Sequence, residues 1–224
     1  MGEKRRSSRM QPLHHWINSL KDIPCFLIGN GPSLRKVDLS PLEDYFTIGL
    51  NRVFLKIQPT ILMWQDLSLW LKEKKAVKRT KAIKFCRLGA DTRGGYYYFK
   101  LIGKEHRLTR DPSNIYGRGS SGPIGFQLAH ILGCDPIFLV GMDCCYGRKG
   151  LTDFYGNNPM HRNHTIPYCK LGLKWIKKCK HGRRVINCSN NDIFPEKMTL
   201  EEAIDLVKNK KYTREELEKK ILGK

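Results

Sequence analysis

Cys25-Phe26-Leu27-Ile28-Gly29-Asn30-Gly31-Pro32-Ser33-Leu34 is an apolar run of strand length that stops at two glycines bracketing an asparagine. It reads as a strand, a phosphate-binding turn and the start of a helix. Gly29 and Gly31 permit positive φ and close backbone approach, and Pro32 suits the first turn of a helix, where its missing N–H costs nothing. Unpaired N–H groups at that helix start, the positive end of the helix dipole and the Ser33 hydroxyl would together hold a phosphate oxygen. A tight strand-to-helix turn without a ligand would carry the same residues. No third glycine follows at the spacing of the dinucleotide fingerprint, so NAD is not favoured.

Outward from this turn, apolar runs of strand length keep returning. Phe46-Thr-Ile-Gly-Leu50 reads as a second strand ending at Asn51, and Thr60-Ile-Leu-Met-Trp64 as a third ending at Gln65 and Asp66. Ala82 to Cys86, Pro136 to Val140 and Arg184 to Cys188 continue the series, and Tyr96 to Phe99 reads as a short strand leading into loop. Helical spacing covers Leu67 to Val77, Ile124 to Leu132 and Leu171 to Cys179; His14 to Leu20 has it too and would cover a sheet edge. This alternation predicts an α/β fold, doubly wound, with a mostly parallel sheet. Ligands bind such sheets at the C-terminal ends of the strands, where Asn30, Asn51, Gln65, Asp66 and Asp143 fall. Gly117-Arg-Gly-Ser-Ser-Gly122 precedes the apolar helix at Ile124. Gly147 to Asn163 is glycine- and asparagine-rich and too long for a plain connection, which makes a lid at about 144–165. Thr199-Leu-Glu-Glu202 and Thr213-Arg-Glu-Glu216 are capping boxes that start two short helices. The expected organisation is a disordered basic tail at 1–9, a nucleotide-binding α/β domain at 10–195 and a helical extension at 196–224.

With 224 residues and 40% apolar content, the chain can bury one sizeable core. No apolar run approaches the roughly 20 residues that span a bilayer, and Lys4, Arg5, Arg6 and Arg9 are followed by no apolar segment of a secretory signal. The expectation is a cytoplasmic protein, at most peripheral to the inner face of the membrane. The eight cysteines are scattered without a Cys-x-x-Cys pair and read as reduced, mostly buried thiols. Cys144, Cys145, His161 and His164 match no common zinc spacing, so no metal is expected. A net charge of +20 is compatible with nucleic acid, an anionic membrane face or an acidic substrate. The basic residues gather in the N-terminal tail, from Lys72 to Lys84 and from Lys170 to Arg184, without the aromatic interleaving of nucleic-acid modules. Nucleic acid is therefore disfavoured against a solvated basic face, one able to touch an anionic membrane. A homo-oligomer stays open.

Taken together, Gly29-Asn-Gly-Pro-Ser-Leu34 after an apolar strand, Asn51 after the second strand, Arg118-Gly-Ser-Ser-Gly122 before a helix and Gly141-Met-Asp143 after a buried strand resemble the bacterial sialyltransferases of glycosyltransferase family 42. The resemblance covers roughly residues 23–190. It implies a Rossmann-like fold of a GT-A-like variant, a CMP-sugar donor, a glycan acceptor and inverting transfer without a metal or other cofactor. It assigns CMP contacts to Asn30 and Asn51, and the phosphate or sialyl carboxylate to Arg118, Ser120, Ser121 and Gly122 beside Gly29, Gly31 and Ser33. A tyrosine pair near the phosphate would be Tyr146 and Tyr155, and Gln65 or Asp66 stands where the family has a further asparagine; Asp143 is either an acceptor for ribose or substrate or a helix-capping carboxylate. The family's catalytic histidine is matched by His164, and an imidazole with an ordinary pKa of about 6.5 suits a general base at neutral pH. The same features, with Ile23-Pro24, Pro59 ahead of Trp64-Gln-Asp66 and the run from Gly133 to Asp143, also resemble the 6-hydroxymethylpterin diphosphokinase MptE-like family. That resemblance implies ATP, with magnesium on Asp66 and Asp143. A basic domain that binds nucleotide or nucleic acid without turnover is the third reading.

Overall fold

The computed structural model describes residues 12–92, 96–103, 107–117, 120–157 and 165–223. The basic tail at 1–9 and two of the expected site residues, Arg118 and His164, lie outside them. The core is one eight-stranded sheet in the order β6-β5-β4-β3-β2-β1-β7-β8, in which every pairing is parallel. The strands are β1 (Cys25–Ile28), β2 (Thr47–Leu50), β3 (Ile61–Trp64), β4 (Ile83–Arg87), β5 (Tyr97–Leu101), β6 (Asn114–Ile115), β7 (Ile137–Val140) and β8 (Val185–Cys188). The longer connections are helical: α1 (Leu67–Arg79), α2 (Ser121–Leu132) and α3 (Thr165–Cys179), with α4 (Leu200–Leu206) and α5 (Arg214–Leu222) closing the chain. The fold is thus a doubly wound α/β domain of Rossmann-like type.

Alternation along the strands explains the two layers. Cys25, Leu27, Ile48, Leu50, Ile137 and Leu139 face one side and pack with α2, α3, α5 and Trp16. Their neighbours Phe26, Ile28, Phe138 and Val140 face the other side, against Leu34, Leu42 and the α4 residues Leu200 and Ala203. Further along that second side, Leu62, Trp64 and Cys86 meet Leu69, Trp70 and Val77 of α1. A strand buried on both faces reads as a continuous apolar run, which is why the runs were visible as strands.

The chain lays down β1 to β6 outward from one side of β1, then returns through α2 to place β7 on the other side. The crevice between the carboxyl ends of β1 and β7 is therefore the topological switch point, where open α/β sheets hold ligands. Gly125 lets α2 lie close beneath that crevice, since a Cβ there would stand 2.7 Å from Leu27 and 2.9 Å from Leu50.

Three local expectations are corrected. No α-helix follows Gly31: Pro32–Lys36 is a single 3-10 segment that ends at an extended Val37. The stretch from His14 to Leu20 is a 3-10 turn at His14–Trp16 and then irregular chain, because Asn18 and Asp22 take positive φ. Its amides instead satisfy the end of α2, Asn18 N donating to Ile131 O, Leu20 N to Leu132 O and Asp22 N to Gly133 O. The loop expected after Phe99 contains β6, whose two residues pair with β5 at the sheet edge and are too short to show any periodicity. Both capping boxes form, at Thr199 with Glu202 and at Thr213 with Glu216.

Candidate active site

A cavity of about 470 Å³ opens at the carboxyl ends of β1, β2, β3 and β7 and the start of α2. Of the residues singled out in the sequence, Gly29, Asn30, Gly31, Asn51, Gln65, Ser120, Ser121, Gly122, Asp143 and Tyr155 line it. Tyr146 does not, and its side chain is 52% exposed. Ser33 also stays out of the lining, for a reason that changes the reading of the opening turn.

That reason is Asp143. Its buried carboxylate accepts from Ser33 N at 2.7 Å through Oδ2, and from Ser33 Oγ at 2.7 Å and Asn190 N at 3.0 Å through Oδ1. Gly29 N donates to Val140 O and Gly31 N to Gly141 O. The amides expected to meet a phosphate are therefore bound to the β7 loop. Neither glycine takes positive φ; they are needed because the two loops touch, a Cβ on Gly29 falling 2.5 Å and one on Gly31 2.6 Å from Gly141 O. Asp143 is the carboxylate that fastens the β1 turn to the β7 loop. With three donors on its four acceptor directions, it keeps one for anything else.

The polar centre of the cavity is a set of amides around one hydroxyl. Ser121 Oγ accepts from Gln65 Nε2 at 3.0 Å and faces Asn51 Nδ2 at 3.5 Å. Asn30 Nδ2 donates to Leu50 O at 2.9 Å. The other ends of these asparagines, Asn30 Oδ1 and Asn51 Oδ1, are buried and accept no hydrogen bond among the described residues. A buried acceptor without a donor costs about 1–3 kcal/mol, and both of these belong to residues that line the cavity. Asn51 holds its position at φ 50, a backbone conformation that asparagine tolerates better than most residues.

Positive and anion-binding groups stand around this centre. Ser120 is the N-cap of α2 and makes no side-chain capping bond, so the positive end of a 12-residue helix faces the cavity. Arg52 and Lys72 contribute cations. Arg52 pairs with Glu73 at 3.0 Å and lies 5.1 Å from the centroid of the Tyr155 ring. Burial, then the neighbouring Asp153, push the Tyr155 phenol up to about 12, so it is a neutral hydrogen-bond donor at any physiological pH. Burial likewise raises the Asp66 carboxyl, against the pull of Arg87.

Part of the expected lid is packed down. Phe154 N donates to Asn30 O at 3.0 Å, Phe154 is buried, and Thr152, Asp153 and Tyr155 line the cavity. Thr165, Ile166 and Cys169 at the start of α3 form the facing wall. Hydrogen bonding from Cys144, with a smaller contribution from Ser120, lowers the Cys169 thiol despite its burial, while the same contact and burial push the Cys144 thiol up. Arg52, Lys72, Asp153 and this thiol pair were not foreseen. Position gave a usable signal only for Arg52, which follows a strand-end asparagine. Among the described residues, no cluster of three or more histidine, cysteine or acidic side chains could hold a metal ion.

No protein-family model matches the chain, and no curated protein sequence matches it. Among solved structures, it is similar to the MAf glycosyltransferase from Magnetospirillum magneticum AMB-1, with a TM-score of 0.53 and 14% identity over 96% of this chain. The two share a fold. This chain spans 45% of that structure's length. A second similar structure is the sialyltransferase CstII from Campylobacter jejuni in complex with a substrate analogue, cytidine-5′-monophosphate, with a TM-score of 0.43 and 14% identity over 76% of this chain and 81% of that one.

Proposed function

We propose that the cleft binds a nucleotide-sugar donor and that the protein transfers its sugar, with inversion, to a hydroxyl of a glycan acceptor. The observation that carries this reading is the pair of buried, unpartnered amide oxygens of Asn30 and Asn51 at the switch point of the sheet. They suit the exocyclic amine of a base or the hydroxyls of a ribose, and CMP is the nucleotide that the resemblance implies. The phosphate then goes to the N-terminus of α2, at Ser120, Ser121 and Gly122, rather than to the occupied amides of Gly31 and Ser33. The cations of Arg52 and Lys72 add donors and charge from the facing walls.

In the reaction, an acceptor oxygen forms a bond to the anomeric carbon while the bond from that carbon to the nucleotide phosphate breaks. Negative charge builds on the departing phosphate, where fixed donors are worth the most, about 3 kcal/mol for each well-placed one. The acceptor's proton passes to a general base. His164 is the proposed base: it directly precedes Thr165, which lines the cavity. Arg118, two residues before Ser120, is the proposed partner for the phosphate or the sugar's carboxylate. A magnesium-dependent diphosphokinase would instead need Asp143 as a ligand, and Asp143 is largely taken up by Ser33 and Asn190.

The test is release of CMP from a CMP-sugar in the presence of a glycan acceptor. Wild-type protein should turn over without added metal, and His164→Ala should lower turnover by about 10²–10⁴-fold with nucleotide affinity nearly kept. Full activity in that variant removes His164 from the chemistry. Turnover of ATP with magnesium, and none of CMP-sugar, overturns the transferase reading.

A further inference from the structure

A second cavity, of about 600 Å³, lies away from the cleft and is built from three separate stretches of chain. Arg107 to Arg110 lead into β6, His130 stands in the last turn of α2, and His181 to Arg183 lead into β8. All three stretches sit at the N-terminal edge of the parallel sheet, because α2 starts at the carboxyl edge and runs back. We propose that this cavity binds a compact polyanion carrying at least two phosphate groups, either free or as the headgroup of a lipid.

Three arginines and two histidines face the cavity, and no described residue of its lining is acidic. Among the described residues, the nearby acids make their hydrogen bonds elsewhere. Asp111 accepts from Ser113 N and Asn114 Nδ2, and Asp135 accepts from Arg184 N. One wall is set by Tyr116, whose hydroxyl accepts from Arg107 Nε at 2.7 Å and whose ring lies 5.3 Å from that guanidinium. No described carboxylate pairs with Arg110 or Arg183. Burial, followed by Arg183, His181 and Arg110, holds the His130 pKa down at about 4.

A basic face without shape would be ordinary for a chain of this charge, and this one has shape. The volume falls within the roughly 300–1,000 Å³ of small-ligand sites, and guanidinium groups recognise phosphate through paired N–H donors. Two phosphate groups, each bringing about −1.5 to −2 near neutral pH, give the guanidiniums of Arg110 and Arg183, which come from separate stretches of chain, one paired partner each.

Calorimetric titration of the full chain with inorganic pyrophosphate, at fixed ionic strength, tests the proposal. Arg110→Gln with Arg183→Gln should weaken binding by about tenfold or more, the usual worth of a lost charge-assisted hydrogen bond. Asn51→Gly, which alters only the cleft, should leave that binding unchanged. Lys208→Gln with Lys210→Gln removes the same charge from another surface and should also leave it unchanged. The proposal is overturned if the arginine variant binds as wild type does, if the lysine variant loses as much, or if Asn51→Gly abolishes the binding. Because Arg110 is exposed, the single variant Arg110→Gln keeps the test valid should the double variant fold poorly. Sedimentation with vesicles of phosphatidylinositol bisphosphate in phosphatidylcholine separates the sources. Arginine-dependent pelleting assigns a lipid headgroup, and pyrophosphate binding without pelleting assigns a free ligand.

Discussion

Asp143 carries the largest difference between what its position suggested and what it does. A carboxylate just past a buried strand at a ligand-binding edge reads as a ligand contact, and the sequence left substrate, magnesium and helix capping open for it. Its three hydrogen bonds to Ser33 and Asn190 make it a brace between two loops. Asp143→Ala should strand those donors in a buried place and cost about 3 kcal/mol of unfolding free energy in urea, since hydrogen bonds to charged groups are worth roughly 1.5–3 kcal/mol each. A loss under about 1 kcal/mol would return Asp143 to the ligand. The asparagines were easier to read, because a polar residue at the end of an apolar strand in this fold has few places to point. Lys72, Asp153 and the Cys144–Cys169 pair were not legible. They reach the cavity by the way loops and helices pack across the sheet edge, and spacing along the chain carries no trace of that.

At the scale of elements, regular strands and capped helices were legible and irregular segments were not. The apolar runs gave the strands to within about a residue at each end, because both faces of the sheet are covered. Thr199 and Thr213 gave α4 and α5, since a capping box is a local device that needs no partner elsewhere. The segment after Gly31 was read as a helix start from the glycine turn and Pro32, and His14 to Leu20 as helical from its apolar spacing, while the backbone of each is set by long-range bonds, to the β7 loop and to the end of α2. The cap at Thr213 is also where an element can be tested alone. Thr213→Ala should lower stability by about 1 kcal/mol through α5, which buries Leu217 and Ile221. Nucleotide affinity should not move, because no residue of α4 or α5 lines the cleft. A parallel fall in affinity would show that α5 reaches the site through the core.

Over the whole molecule, the parallel sheet separates two chemistries. Its carboxyl edge gathers amides, a helix N-terminus, a neutral phenol and side chains of both charges around one cavity, and its opposite edge gathers arginines and histidines around another. No described helix is long and apolar enough to cross a membrane. The doubly wound class was legible from the alternation of runs; the place of β7 beside β1 was not, because strand order is a long-range property, and it is this order that creates the cleft. The transferase reading proposed above rests on the unpartnered oxygens of Asn30 and Asn51 receiving a cytidine nucleotide. Calorimetric titration with CMP, side by side with ATP and magnesium, on wild type, Asn30→Ala and Asn51→Gly tests it most directly. CMP should bind, and each substitution should weaken that binding by about tenfold or more, with no comparable binding of ATP. CMP binding unchanged in both variants, or ATP bound in preference to CMP, would contradict it.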